Sequence, residues 1–272
     1  MKKTLLWAMC LVLLYLTACT SPTDPGPSTE TSSPPPETKT VFVHTSITQE
    51  FGSSVNRTEY LFDDEDHVCE VVVYTNDTQT KRHSVECDEN GNYIKWTAEG
   101  SVTEYAYDDE GHSLGVTLYI NNELVSSTQY TWENGLRTSV TTSIAAQGIT
   151  QRAVMTYDSA GQLLRQDTYT AETLTNYSIY TNDENGRHTS ITTYQPDGTQ
   201  LYTTAFQYTD SMETATTTSP DGTVTQTTVK FYDEHGNLLT QEIYSSDGSM
   251  ISKETHTWKA IEVPPDCPRA SV

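Results

Sequence analysis

Six positions set a metre for this chain: Tyr119, Ile144, Tyr169, Tyr194, Ser219 and Tyr244 follow one another at a constant step of 25 residues. A register held that long marks a repeat protein, whose units each form one small supersecondary element unable to bury its apolar face alone. Tyr74 and Trp96 extend the series toward the N-terminus. A second anchor runs between these positions, an aromatic followed by an acid and then a glycine turn. It occurs at Phe62-Asp63, Tyr107-Asp108, Trp132-Glu133, Tyr157-Asp158 and Tyr232-Asp233, with Cys87-Asp88 as a variant. The glycines are Gly91, Gly111, Gly135, Gly161, Gly186 and Gly236.

The segments between anchors alternate with period two, as in Leu114-Val116-Leu118-Ile120 and Leu136-Thr138-Val140-Thr142-Ile144. That period belongs to strands, and the abundant Thr and Tyr suit a pleated surface. Asn-Gly and Asp-Gly pairs (Asn90-Gly91, Asn134-Gly135, Asn185-Gly186, Asp197-Gly198, Asp221-Gly222, Asp247-Gly248) supply the positive φ that tight hairpins need. The pattern predicts an all-β fold, a repeat array of antiparallel β-hairpins. About eight units of roughly 25 residues would form an extended or curved meander sheet of about sixteen strands. The two anchor series are expected as aromatic rows near opposite rims. Val41 to Ile47 is expected to cap one end, and Ile261 to Val272, with its three prolines, to leave the other as a tail.

Tyr157-Asp158-Ser159-Ala160-Gly161-Gln162-Leu163, Tyr232-Asp233-Glu234-His235-Gly236-Asn237-Leu238 and Tyr107-Asp108-Asp109-Glu110-Gly111 resemble the YD repeats of the rearrangement-hotspot (RHS) family. The resemblance covers Glu59 to Trp258. It implies spiralling β-sheet, which in long arrays builds shells around a toxin. This chain has few units, and Asn182 and Ser211-Met212 depart from the motif.

The N-terminus reads as an export signal: Lys2 and Lys3, an apolar run from Leu5 to Leu16, then Leu16-Thr17-Ala18-Cys19. The last four residues resemble the lipobox of bacterial lipoproteins. That resemblance implies acylation of Cys19 and cleavage before it, hence a palmitate-bearing membrane anchor. Thr20 to Thr40 is rich in Pro, Ser and Thr and too poor in apolar side chains to fold. It reads as a tether able to reach roughly 65 Å at about 3.1 Å per residue. The expected organisation is a signal peptide (1–18), lipidated cysteine and tether (19–40), repeat domain (41–258) and tail (259–272).

Losing Lys2 and Lys3 with the leader takes the formal net charge from −22 to −24. Such a balance opposes binding to nucleic acid or to anionic lipid through a basic patch. Cys69, Cys87 and Cys267 remain beside Cys19. Cys69 and Cys87 flank a turn near Asp77–Thr78 symmetrically, so they are the candidate disulfide outside the cytoplasm.

One stretch, Gly111-His112-Ser113-Leu114-Gly115, has the letters of a Gly-x-Ser-x-Gly elbow, but it leads into the period-two run Leu114 to Ile120 and not into the helix such an elbow needs. There is no His-x-x-His or Cys-x-x-Cys pair. The histidines His112, His188 and His235 sit in or beside glycine turns. The acidic runs Asp63 to Asp66, Asp108 to Glu110 and Asp183 to Asn185 suit turn chemistry and lack EF-hand spacing. No metal or cofactor is expected. Trp96, Tyr119, Tyr169, Tyr194 and Tyr244 are the candidate stacking residues for a sugar or peptide; packing between strands is the competing role for these rings. The expectation is a bacterial surface lipoprotein with a structural, adhesive or ligand-binding role. Its partners would be the membrane, through lipid, and a cell-wall glycan or another surface protein. A toxin-shell fragment or accessory protein and a glycan hydrolase are the alternatives.

Overall fold

The computed structural model describes residues 38–64 and 66–263. The signal peptide, Cys19, most of the tether, Glu65, Cys267 and the last nine residues lie outside this range. The described chain is built from 18 strands. They are β1 (Lys39–Phe51), β2 (Ser54–Phe62), β3 (Val68–Thr75), β4 (Thr78–Cys87), β5 (Tyr93–Ala98), β6 (Ser101–Tyr107), β7 (Ser113–Ile120), β8 (Glu123–Glu133) and β9 (Leu136–Ile144), continuing through β10 (Ile149–Tyr157), β11 (Leu163–Thr170), β12 (Thr173–Asn182), β13 (His188–Tyr194), β14 (Gln200–Tyr208), β15 (Met212–Thr218), β16 (Val224–Tyr232), β17 (Leu238–Ser245) and β18 (Met250–Val263).

Each strand pairs antiparallel with its sequence neighbours, as the repeat predicts. The sheet, however, is closed. β1 pairs with β2 from Ser46–Glu59 to Phe51–Ser54 and with β18 from Lys39–Val263 to Phe51–Ser252. The expected open meander is therefore a barrel of nine hairpins, and Val41 to Ile47 is the closing strand rather than a cap. The physical reason is the cost of edges: an open meander leaves two rows of N–H and C=O groups unpaired, and closure removes both. The expected tail also begins later, because Ile261 to Val263 belong to β18.

The turns opened by Asp63, Asp88, Asp108, Asp158, Asp183 and Asp233 and both ends of the described chain lie at one rim, called lower here. β1 pairs with β2 only from Ser46 upward, and β18 with β17 only up to Thr255–Thr240. Lys39–His44 and Trp258–Val263 therefore pair solely with each other as a two-stranded tongue beyond the lower rim. Its Val43, Ile261 and Val263 pack with Val41 and Phe62. Phe42 stacks on His235, with ring centroids 4.7 Å apart.

At the upper rim the turns are of two kinds. Asn76-Asp77, Asn121-Asn122, Asn134-Gly135 and Ala171-Glu172 carry paired positive φ values; all but Asn134-Gly135, which closes a lower-rim hairpin, sit on the upper rim. Gly198, Gly222 and Gly248 instead each close a turn by donating to the carbonyl three residues back. The positive φ expected of the Asn-Gly and Asp-Gly pairs falls in most of them on the glycine alone, within four-residue turns such as the one closed by Gly91 N–H to Asp88 C=O (3.0 Å).

Register shifts recur beside the lower-rim anchors, for example between Thr156 and Tyr157 and between Phe231 and Tyr232. Each is a β-bulge that places two residues opposite one. The extra residues Ile94, Leu114, Leu164 and Leu239 are left exposed, while the anchors point into the bore. There Tyr60, Tyr105, Tyr107, Tyr130, Tyr157, Tyr180 and Tyr208 form an aromatic floor. Burial pushes all seven phenols up, Tyr60, Tyr107 and Tyr208 to about 12. Higher in the bore the wall is hydroxyl-rich. Thr128 bonds Thr142 (3.0 Å) and Ser178 bonds Thr193 (2.8 Å). Tyr202, opposite Thr193 in the register, is 43% exposed, so solvent reaches this inner face.

Candidate functional site

The lower-rim anchors explain themselves first. Tyr157 Oη donates to the carbonyl of Arg137 (2.7 Å), Tyr208 Oη to His188 (2.9 Å), and the indole N–H groups of Trp132 and Trp258 to Ser113 and Leu238 (both 2.8 Å). Each bond reaches the start of the preceding strand and ties the open end of its hairpin. Cys87 Sγ makes the equivalent contact to Val68 C=O (3.4 Å). These rings are structural ties.

The acidic turns are equally committed. Asp158 Oδ1 accepts from the N–H groups of Ala160 and Gln162, and Asp233 Oδ1 from those of His235 and Asn237. The second oxygen receives the side chain four residues on: Asn237 Nδ2 to Asp233 (2.9 Å), Asn92 Nδ2 to Asp88 (3.0 Å), Arg187 Nε to Asp183 (2.8 Å). Burial opposes ionisation of Asp108, Asp183 and Asp233, yet these hydrogen bonds outweigh it and hold all three below the usual carboxylate range. Asp108, Glu110 and His112 bring three ligand-type atoms within 4.8 Å of one another. His112 Nδ1 lies 3.0 Å from Asp108 Oδ2, the place that Asn92, Arg187 and Asn237 occupy in sister turns, and its ring stacks on Trp132 at 4.6 Å. The group repeats a turn device found elsewhere in the same wall.

The candidate stacking residues divide between the two faces of the wall. Trp96 opposes Val85 and packs inward with Tyr93 and Tyr105; its indole N–H is buried with no acceptor. Tyr119, Tyr169, Tyr194 and Tyr244 face outward near the upper rim, half-buried among their neighbours. Arg152 lies over Tyr169 (4.8 Å) and Arg57 over Tyr74 (4.4 Å), and Tyr244 Oη donates to Glu242 (2.6 Å). Tyr177, which the sequence reading did not select, completes the best-formed platform. It stacks on Tyr194 (5.1 Å, 19°) with Arg165 over its other face (4.2 Å). Asp167 Oδ1 fixes that guanidinium through Nε (2.9 Å) and a terminal nitrogen (2.7 Å).

The expected Cys69–Cys87 bridge is not formed. The register pairs Glu70 with Ser84, which brings Cys69 level with Val85 rather than Cys87. Cys69 Sγ is directed instead to Leu61 C=O (3.4 Å).

A third group was not read from the sequence. Along the inner wall the register sets Glu213 beside Lys230, Lys230 beside Gln241, Gln241 beside Glu254, and Glu254 beside Gln49. Lys230, 8% exposed, reaches Glu213 Oε1 at 3.0 Å. Gln49 Nε2 donates to Glu254 (2.5 Å), whose other oxygen lies 2.8 Å from His256 Nε2. His256 Nδ1 meets His44 Nε2 at 3.1 Å, and His44 lies on Trp258 with centroids 3.6 Å apart. Burial, then the neighbouring His256, push the His44 imidazole down to about 4, with Glu254 opposing. The signal for this group was available: two residues before the anchors stand Tyr60, Val85, Tyr105, Tyr130, Met155, Tyr180 and Phe206, all rings or apolar side chains, but Lys230 and His256 on adjacent hairpins.

Residues 104–218 match a family described as an uncharacterised protein. The sequence matches no curated protein. Among solved structures, it is similar to a porin-like protein from Bacteroides vulgatus (9% identity, TM-score 0.45, 79% of this chain and 98% of that one). A second porin-like protein, from Bacteroides uniformis, is 13% identical with a TM-score of 0.30 over 79% of this chain and 98% of that one. The TcdB2-TccC3-Cdc42 structure is similar over 76% of this chain (12% identity, TM-score 0.40), and this chain spans 15% of that one.

Proposed function

We propose that this chain is a membrane-tethered, non-catalytic surface protein whose barrel displays the outward tyrosine row to a ligand, with Arg165, Tyr177 and Tyr194 as its centre. The observation that carries the reading is the stack itself. Broad rings stacked on a rigid sheet, with a fixed guanidinium over the outer face of Tyr177, suit a sugar ring or a peptide. The anchor rings of Trp132, Tyr157, Tyr208 and Trp258 are consumed by ties to the backbone, and the turn carboxylates by the turns. The outward row is the aromatic surface left to a partner.

The outer wall is not built to face lipid. A spanning barrel carries an outward apolar band, whereas here Arg57 pairs with Glu59, Arg82 with Glu70, and Lys253 with Glu242 (2.9 Å) on the outside. The membrane is reached through acylated Cys19 and the tether, which enters the barrel at the lower rim. The upper rim and its tyrosines then stand away from the bilayer.

The test is binding of the full chain to peptidoglycan fragments and a glycan array, with Tyr194→Ala and Tyr177→Ala beside Tyr157→Phe as an inward control. Stacking contributes about 0.5–1.5 kcal/mol beyond simple burial, so binding weaker by up to roughly tenfold is expected from either outward variant, and no loss from the control. Equal binding by all four proteins, or no saturable ligand, overturns the proposal.

A further inference from the structure

We infer that His44, His256 and Glu254 form a proton-operated latch on the seam that closes the barrel. The seam is where strands from the two ends of the chain meet, and it is the one junction in the ring not made by sequence neighbours. His44 stands at its fork. Below it β1 pairs with β18 alone; above it, past a register shift between His44 and Ser46, β1 pairs with both β18 and β2.

The chemistry follows from one contact. His44 Nε2 and His256 Nδ1 are 3.1 Å apart, a hydrogen-bond distance between two ring nitrogens. Such a bond needs a donor on one ring and a lone pair on the other, so it survives with either ring neutral and fails when both are protonated. Two imidazolium ions would then face each other in a site where His256 is 8% exposed.

The surroundings supply little relief. From β18, Glu254 is the carboxylate at hand, already held by Gln49 of β1 and 2.8 Å from His256 Nε2. From β2 comes Tyr60, whose ring centroid lies 6.2 Å from that of His44 and whose phenol burial keeps protonated. From β17 comes Gln241, which is neutral, and from β16 Lys230, which is engaged by Glu213. Trp258 covers the face of His44. One carboxylate serves two histidines, so the second proton enters only when the seam parts and His44 reaches water.

The sign is therefore set. Opening takes up a proton, so acid favours opening across the range between the closed-state value of about 4 and the ordinary histidine value of 6.5. From pH 7 to pH 5 the opening equilibrium should rise roughly twentyfold. Glu254 sits below the usual carboxylate range, so it remains ionised over that interval.

The experiment is hydrogen exchange on the full chain at pH 7 and pH 5, with protection corrected for the intrinsic pH dependence of exchange. The reporting peptides are β1 and the lower half of β18; β9 and β10, across the ring, are the reference. Loss of protection in the wild-type seam by about twentyfold, with the reference strands unchanged and the seam of His44→Gln insensitive to pH, supports the latch. A wild-type seam equally protected at both pH values, or one that loosens as much in His44→Gln, overturns it. If His44→Gln fails to fold, His44→Phe keeps a ring on Trp258 without a titrating nitrogen and is read the same way.

Discussion

Asn182 Nδ2 donates to the backbone carbonyl of Leu163 at 3.0 Å, the bond that Tyr157 Oη makes to Arg137 one hairpin earlier. The residue that broke the aromatic motif therefore preserves its function. At Trp132, Tyr157, Asn182, Tyr208 and Trp258 the motif supplies a hydrogen-bond donor of the right reach, and a ring is one way of carrying it. Asn182→Leu, which keeps volume and removes the donor, is expected to cost about 1–2 kcal/mol, because the carbonyl is left in a partly buried site. Tyr157→Phe should cost about 1 kcal/mol for the same reason. Urea midpoints at constant slope would show both; an unchanged midpoint in both variants would mean that neither tie contributes.

The repeat was legible because its anchors serve local structure. Tyr157, Asp158 and Gly161 make their turn with residues close in sequence, so the pattern is periodic. The closure was not legible, because β1 and β18 are joined by backbone pairing across almost the whole chain, and backbone pairing leaves no mark in residue type. The facing of the second aromatic row was legible only through parity. Trp96 follows its anchor Cys87 by 9 residues, whereas Tyr74, Tyr119, Tyr169, Tyr194 and Tyr244 follow theirs by 12. An odd change in spacing turns a strand side chain to the other face of the sheet, which is why Trp96 lies in the bore and the tyrosines outside it.

Closure makes a covalent prediction. Thr48 and Thr255 are cross-strand partners at the seam. In an open meander they would lie at opposite ends of the sheet. Replacing both with cysteine should give an intramolecular disulfide on oxidation, raising stability by at most about 5 kcal/mol through closure of a loop of about two hundred residues. Mass spectrometry of the oxidised chain would show the linked peptides. Only intermolecular dimers, or two reduced thiols, would mean that the ring is not closed in solution.

The turn aspartates predict a response to acid and an indifference to calcium. Asp183 and Asp233 ionise below the usual carboxylate range because their hydrogen-bond donors favour the anion, against a burial effect that opposes it. Folding thus binds the anion better than the unfolded chain does. That stability is present above the ordinary carboxylate value of 3.8 and disappears as pH falls through the lower folded value. Asp233→Ala should lower the thermal midpoint at pH 7, and its deficit against wild type should shrink as the pH approaches 2. Millimolar calcium should leave the wild-type midpoint in place, since the turn donors already hold both Asp233 oxygens. A calcium-dependent rise would show that the ion outcompetes them.

Gly115 tests the packing of the wall separately from backbone conformation. Its φ needs no glycine, yet a Cβ built there would stand 2.6 Å from the carbonyl oxygen of Thr128 on the paired strand. Backbone cannot step aside as a flexible side chain can, so β7 and β8 would have to separate locally. Gly115→Ala should cost about 1–3 kcal/mol as an overpacked site. Gly135 is the converse case: a Cβ there meets nothing within 4 Å, but φ is +73°. Gly135→Ala should cost about 1–2 kcal/mol through the left-handed conformation alone. Hydrogen exchange separates the two variants. Gly115→Ala should lower protection of the amides of β7 and β8 around Gly115 and Gln129, where the strands must part. Gly135→Ala should leave those amides protected and act at its own turn. Unchanged protection around Gly115 in Gly115→Ala would mean that strand approach there is not what sets its cost.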